Sequence, residues 1–125
     1  MNVWIVEDDA GYRRNLRMSL EIEEGITVQR VFPSCIELFD ELKSGNVPEM
    51  ILMDLGLPGM SGTEAIRQLT HMVPDVSVLV LTVFKEKEKV ETALEAGAAG
   101  YLLKESGGPE IIKGLWAVYE SRVPA

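Results

Sequence analysis

Cysteine, histidine and aromatic residues are scarce in this chain of 125 residues: one Cys, one His, and Phe, Trp and Tyr together at 6%. The single cysteine, Cys35, excludes an intramolecular disulfide and any zinc site built from several thiolates, and it fits a reducing compartment as a small buried apolar side chain. His71, the lone histidine, falls near the end of a helical stretch and reads as a solvated surface residue, not as a phosphoryl donor. Basic residues are also in deficit. Twelve Lys and Arg against 20 Asp and Glu leave a net charge of -8, so the domain as a whole repels nucleic acid phosphates, and any DNA contact must come from something else. No run approaches the ~20 apolar residues of a membrane-spanning helix. The opening "MNVWIVEDD" has no basic segment followed by a hydrophobic one, so there is no secretory leader to read and the expected location is cytoplasmic.

What the chain does have is 46% hydrophobic residues in a length suited to one domain, enough to bury a core without covalent staples. Short apolar, β-branched runs alternate with longer stretches of helical period, five of each, which is the pattern of an α/β domain with a parallel sheet. The strand candidates are "VWIV" at 3–6, "ITVQRVF" at 26–32, "MILM" at 50–53, "SVLVLT" at 77–82 and "AGYLL" at 99–103. The first, third and fourth are nearly unbroken apolar runs, as expected for strands covered on both faces. The second interleaves Thr27, Gln29 and Arg30 and the fifth is short and rich in small residues, so these two read as edges. Edges at strands 2 and 5 fit a doubly wound (βα)5 sheet of order 2-1-3-4-5, the flavodoxin-like arrangement. Between the strands, Tyr12, Leu16 and Leu20 repeat at i+4. Ser34 with Glu37 and Ser61 with Glu64 match capping boxes, and a last helix around 109–121 carries a wide apolar face that includes Trp116 and Tyr119. The domain is expected to span residues 1–121, with 122–125 as the possible start of a linker to an output domain.

In a sheet of this order, ligands bind at the carboxyl ends of the strands near the switch point. Strand 1 ends in Glu7, Asp8 and Asp9, strand 3 in Asp54, strand 4 in Thr82, and strand 5 runs into Lys104. Asp54 opens "DLGLPGMSG", which leaves three readings for it: the start of a turn, part of a glycine-rich phosphate cradle, or a carboxylate that reacts with a phosphoryl group. Gathering Glu7, Asp8 and Asp54 without a counterion costs on the order of 1 to 4 kcal/mol per close pair. A divalent cation removes that repulsion, and a few carboxylates with room for water suit Mg2+. Lys104 can pair with Asp54 and with a phosphoryl group on it. Asp9 adds a third acid, but its register points it away if the other two face the site.

The set "VEDD", "DLGLPGMSG", "LTV" and "GYLLKES", in this order over nearly the whole chain, resembles a response-regulator receiver domain of two-component signalling, closest in look to the class with a LuxR-type helix-turn-helix output. The resemblance implies a phosphorylation-dependent switch, not an enzyme acting on other molecules. It assigns Asp54 as phosphoryl acceptor, and Glu7, Asp8, Asp54 and the backbone carbonyl of Gly56 as Mg2+ ligands. Thr82 and Lys104 contact the phosphoryl group, and Tyr101 is the switch aromatic that relays to the surface of the fourth helix, fifth strand and fifth helix. Implied partners are a sensor histidine kinase or phosphotransfer protein, a second copy of the chain on phosphorylation, and DNA only through a separate output domain. Two departures stand out. Glu7 replaces an aspartate, and Glu105 follows Lys104 where many receivers have a proline after a cis bond. The rival class, a small enzyme or cofactor binder on the same fold, lacks support: there is no G-x-x-x-x-G-K-[ST] loop, no G-x-G-x-x-G, and no second Asp two residues after Asp54.

Overall fold

The computed structural model describes residues 1–122. Of the predicted linker, Arg122 is described and residues 123–125 lie outside the described residues. The chain alternates β1 (Asn2–Val6), α1 (Ala10–Glu21), β2 (Thr27–Phe32), α2 (Cys35–Lys43), β3 (Met50–Met53), α3 (Gly62–Met72), β4 (Ser77–Thr82), α4 (Lys87–Ala96), β5 (Gly100–Leu103), a 3-10 turn over Lys104–Ser106, and α5 (Gly108–Ser121). All pairings are parallel and the strand order is β2-β1-β3-β4-β5, as the edge pattern predicted.

The two-residue alternation of each strand divides the core between the faces of the sheet. Trp4, Val6, Ile51, Met53, Val78 and Val80 pack on one side with Leu38, Ile66 and Ala93, so α2, α3 and α4 cover that face. Val3, Ile5, Met50, Leu52, Leu79 and Leu81 pack on the other with Leu16, Leu20, Ile111 and Leu115 from α1 and α5. Burial on both sides explains why β1, β3 and β4 read as continuous apolar runs. Cys35 is buried and His71 exposed, as expected from sequence. Trp116 and Tyr119 pack against the α1/α5 side of the core.

Helix starts follow the side chains that cap them. Ser34 and Ser61 accept hydrogen bonds from the backbone N–H of Glu37 and Glu64. The reciprocal half of the second box is diverted: the Glu64 carboxylate is 3.2 Å from Arg67. Asp9 caps α1 by accepting from the Tyr12 N–H at 2.9 Å. It is not among the acids whose carboxylates gather beside Asp54, and its carboxylate serves as the cap.

Candidate functional site

Past the ends of the strands, the backbone ladder continues far enough to align the acids. The Glu7 N–H donates to Phe32 O at 2.9 Å and the Asp54 N–H to Val6 O at 3.2 Å, which sets Asp54 beside Glu7 at the carboxyl edge of the two central strands. Register pairs Thr82 with Leu103, so the residue after Leu103, Lys104, leaves the sheet at the same edge. Glu7, Asp54, Thr82 and Lys104 therefore lie along one rim.

Asp54 is 8% exposed. Its Oδ1 accepts from the Gly56 N–H at 3.0 Å and its Oδ2 from Lys104 Nζ at 3.0 Å. The same ammonium pairs with Glu7 Oε1, while Glu7 Oε2 accepts from the Asp9 N–H at 3.0 Å. Lys104 thus bridges two buried carboxylates. Burial opposes its charge, but the hydrogen bonds to Glu7 and Asp54 outweigh burial and hold its pKa above the ordinary lysine value. Burial pushes the Glu7 carboxyl above its ordinary value, against the pull of Lys104 and the Asp9 N–H. The Lys104–Glu105 bond is trans, since the described chain has no cis peptide, and Glu105 turns outward to pair with Lys85 at 3.0 Å.

Glu7, Asp8 and Asp54 each present a carboxylate oxygen within 4.8 Å of the others. Among the described residues, Lys104 is the only ammonium beside these three carboxylates, and the Arg13 guanidinium donates to the Glu7 backbone carbonyl at 2.7 Å beside them, so the acids still outnumber the cations and a divalent ion would offset the excess. Carboxylate oxygens gathered this closely suit a small hard cation such as Mg2+. Asp8 is exposed and Glu7 is already engaged through both oxygens, each of which retains a second lone pair.

Thr82 is fully buried and its Oγ1 accepts from the Phe84 N–H at 3.4 Å. Tyr101, half-buried on β5, donates its hydroxyl to Phe84 O at 2.7 Å. Beside the acceptor, a Cβ at Gly56 would meet Phe84 Cε2 at 3.4 Å and Asp54 Oδ1 at 3.7 Å, ordinary contact distances. Two contacts escaped the sequence. Phe84 joins Thr82 to Tyr101 through its backbone, which no side-chain pattern announces. Tyr12, seen only as a helix-face residue, places its ring centroid 4.4 Å from Lys104 Nζ. Asp9 did carry a signal, an Asp just ahead of a helical repeat.

Residues 3–115 match the model of the response regulator receiver domain. The chain belongs to that family. The response regulator UvrY of Escherichia coli (strain K12) is 34% identical over 122 residues, covering 98% of this chain and 56% of UvrY. A LuxR-family two-component response regulator from an Aurantimonas species superposes with a TM-score of 0.90 at 28% identity, covering 97% of this chain and 86% of that one. The isolated receiver domain of RcsB from Salmonella enterica serovar Typhimurium, solved with a phosphomimetic beryllofluoride, gives 0.87 at 26% identity, with 96% and 88% covered. This receiver domain spans about half the length of the curated relatives it matches. It is a phosphorylation-dependent signalling domain of the two-component type, and its relatives include transcriptional regulatory proteins of Bacillus subtilis.

Proposed function

We propose that Asp54 is the phosphoryl acceptor of the switch. The supporting observation is the setting of its carboxylate, which is nearly buried at the end of a central strand with one oxygen on the Lys104 ammonium and the other on the Gly56 N–H. In transfer from a phosphohistidine of a sensor kinase or phosphotransfer protein, an Asp54 oxygen bonds to phosphorus as the P–N bond breaks. The bonding pair leaves on the imidazole nitrogen, and Asp54 becomes an acyl phosphate. Glu7, Asp8, Asp54 and the Gly56 carbonyl would hold Mg2+ in this reading, and the ion would supply positive charge to offset that of the phosphoryl oxygens. Lys104 meets part of the added charge of about -1.5 to -2, and the Thr82 hydroxyl donates to a phosphoryl oxygen. The Thr82, Phe84 and Tyr101 contacts give a route from the phosphoryl group to the surface of α4, β5 and α5. The domain catalyses only its own phosphorylation and dephosphorylation, acts in the cytoplasm, forms a homodimer when phosphorylated, and regulates transcription through an output domain that contacts DNA.

Incubation with Mg2+ and acetyl phosphate tests the assignment. An alkali-labile adduct on the wild type that is absent in Asp54→Asn is expected; no adduct, or its survival in the variant, overturns it.

A further inference from the structure

Lys104 is held from three sides, and only two of them are carboxylates. Its Nζ bridges Glu7 and Asp54, and its remaining direction faces the Tyr12 ring, 4.4 Å to the centroid. Tyr12 reaches it because of how α1 begins. Asp9 anchors the Tyr12 N–H in the first turn, and helical side chains lean back toward the N-terminus, which lays the ring over the β1–α1 loop and against the end of β5. Beyond the ring is open space. A recess of about 130 Å³ between α1 and the start of α5 is lined by Tyr12, Asn15, Ser19, Lys104, Gly107 and Gly108.

We infer that Tyr12 is a positioning residue for phosphoryl binding: its ring face holds the Lys104 ammonium over Asp54 and keeps the lysine chain out of the recess. The role rests on Asp54 being the acceptor. The Lys104 side chain is 15% exposed and has given up most of its water, the condition under which the negative face of an aromatic ring attracts a cation most strongly. An aliphatic residue at 12 fills part of the same space but offers the ammonium nothing, and the recess then accepts the lysine chain. A phosphoryl group arriving on Asp54 meets a cation already placed in the wild type and a wandering one in the variant.

Beryllofluoride affinity in Mg2+, measured by calorimetry, tests this. Tyr12→Phe keeps the ring and is expected to bind like the wild type, whereas Tyr12→Leu binds about threefold to tenfold more weakly, the range of a partly desolvated cation–π contact. Phenylalanines of increasing fluorination at position 12 keep the shape and drain the ring face, so affinity falls stepwise with fluorine count. This series decides the matter even if Tyr12→Leu folds poorly. In a Lys104→Ala background, Tyr12→Leu causes no further loss. Equal weakening by Tyr12→Phe and Tyr12→Leu, a flat fluorine series, or a full loss in the Lys104→Ala background overturns the role. Failure of the wild type itself to bind beryllofluoride with Mg2+ instead overturns the acceptor assignment.

Discussion

The Tyr101 hydroxyl donates to the Phe84 carbonyl oxygen at 2.7 Å, tying the aromatic of β5 to the loop that leaves β4 beside Thr82. Tyr101→Phe removes the donor and leaves the ring in its packing. The Phe84 carbonyl then loses its protein partner at a half-buried position, which costs about 1 kcal/mol. Urea unfolding is expected to show a lower midpoint with an unchanged slope, and beryllofluoride still to bind, while the amide shifts of Phe84 and the start of α4 differ from those of the wild type. An unchanged midpoint and unchanged shifts would mean that the bond carries neither stability nor coupling.

Removing the cation from between two buried acids has a larger effect. Lys104→Ala leaves Glu7, 3% exposed, facing Asp54, 8% exposed, with no charge between them. Breaking one side of a buried ionic group costs about 2 to 4 kcal/mol here, since the Lys104 side chain is not fully enclosed. The same change makes the carboxylates more available to a divalent ion. Thermal melts in chelator are expected to show the variant well below the wild type, and added Mg2+ to raise the variant's melting temperature by more than it raises the wild type's. An equal Mg2+ increment in both proteins counts against these acids as the ligands.

The fold was legible because its signals are local. β3 and β4 run over 50–53 and 77–82 as their apolar runs predicted, and β1, β2 and β5 differ by a single residue at one end. Thr27, Gln29 and Arg30 marked β2 as an edge, and exposure of those three positions is the physical reason the pattern was readable. Strand ends likewise announced Glu7, Asp54, Thr82 and Lys104. What stayed hidden depends on contacts between distant segments. Nothing near Glu7 in the chain indicates that one of its oxygens is engaged by Lys104 from the far end of the chain. Nothing near Tyr12 indicates that its ring ends against Lys104, a lysine from the turn after β5. Phe84 acts through backbone atoms, and backbone atoms have no sequence signature.

The loop after Asp54 depends on Gly62 for close approach, not for unusual backbone angles. A Cβ at Gly62 would lie 2.7 Å from Leu55 Cα and 3.1 Å from Leu55 O, and backbone atoms cannot rotate away. Gly62→Ala must push the Leu55–Gly56 segment and the first turn of α3 apart. Overpacking of this kind costs about 1 to 3 kcal/mol. Because Gly56 holds Asp54 Oδ1, phosphorylation by acetyl phosphate is expected to slow along with the loss of stability. A variant with wild-type stability and rate would show that the loop shifts freely.

At the amino ends of the strands, Glu49 gathers residues from near both ends of the described chain. Its Oε1 accepts from the Asn2 N–H at 2.8 Å and its Oε2 from the Tyr119 hydroxyl at 3.1 Å, with the Met1 ammonium at 4.0 Å and Arg122 at 3.9 Å. The Asn2 bond, partly opposed by burial, and then Tyr119 and the two charges hold its carboxyl below the ordinary value of 4.5. A depressed folded-state pKa means that the unfolded chain takes up the proton first as pH falls. The stability Glu49 contributes is therefore complete above the ordinary value and is lost as pH drops through the lower, folded one. Glu49→Gln is expected to be less stable than the wild type at pH 7, with the gap in urea midpoint closing below the ordinary carboxylate range. The side chain is 37% exposed, so the gap is small and narrows further as salt is added. A gap that stays constant from pH 7 down through the acid range would place the effect in packing instead of charge.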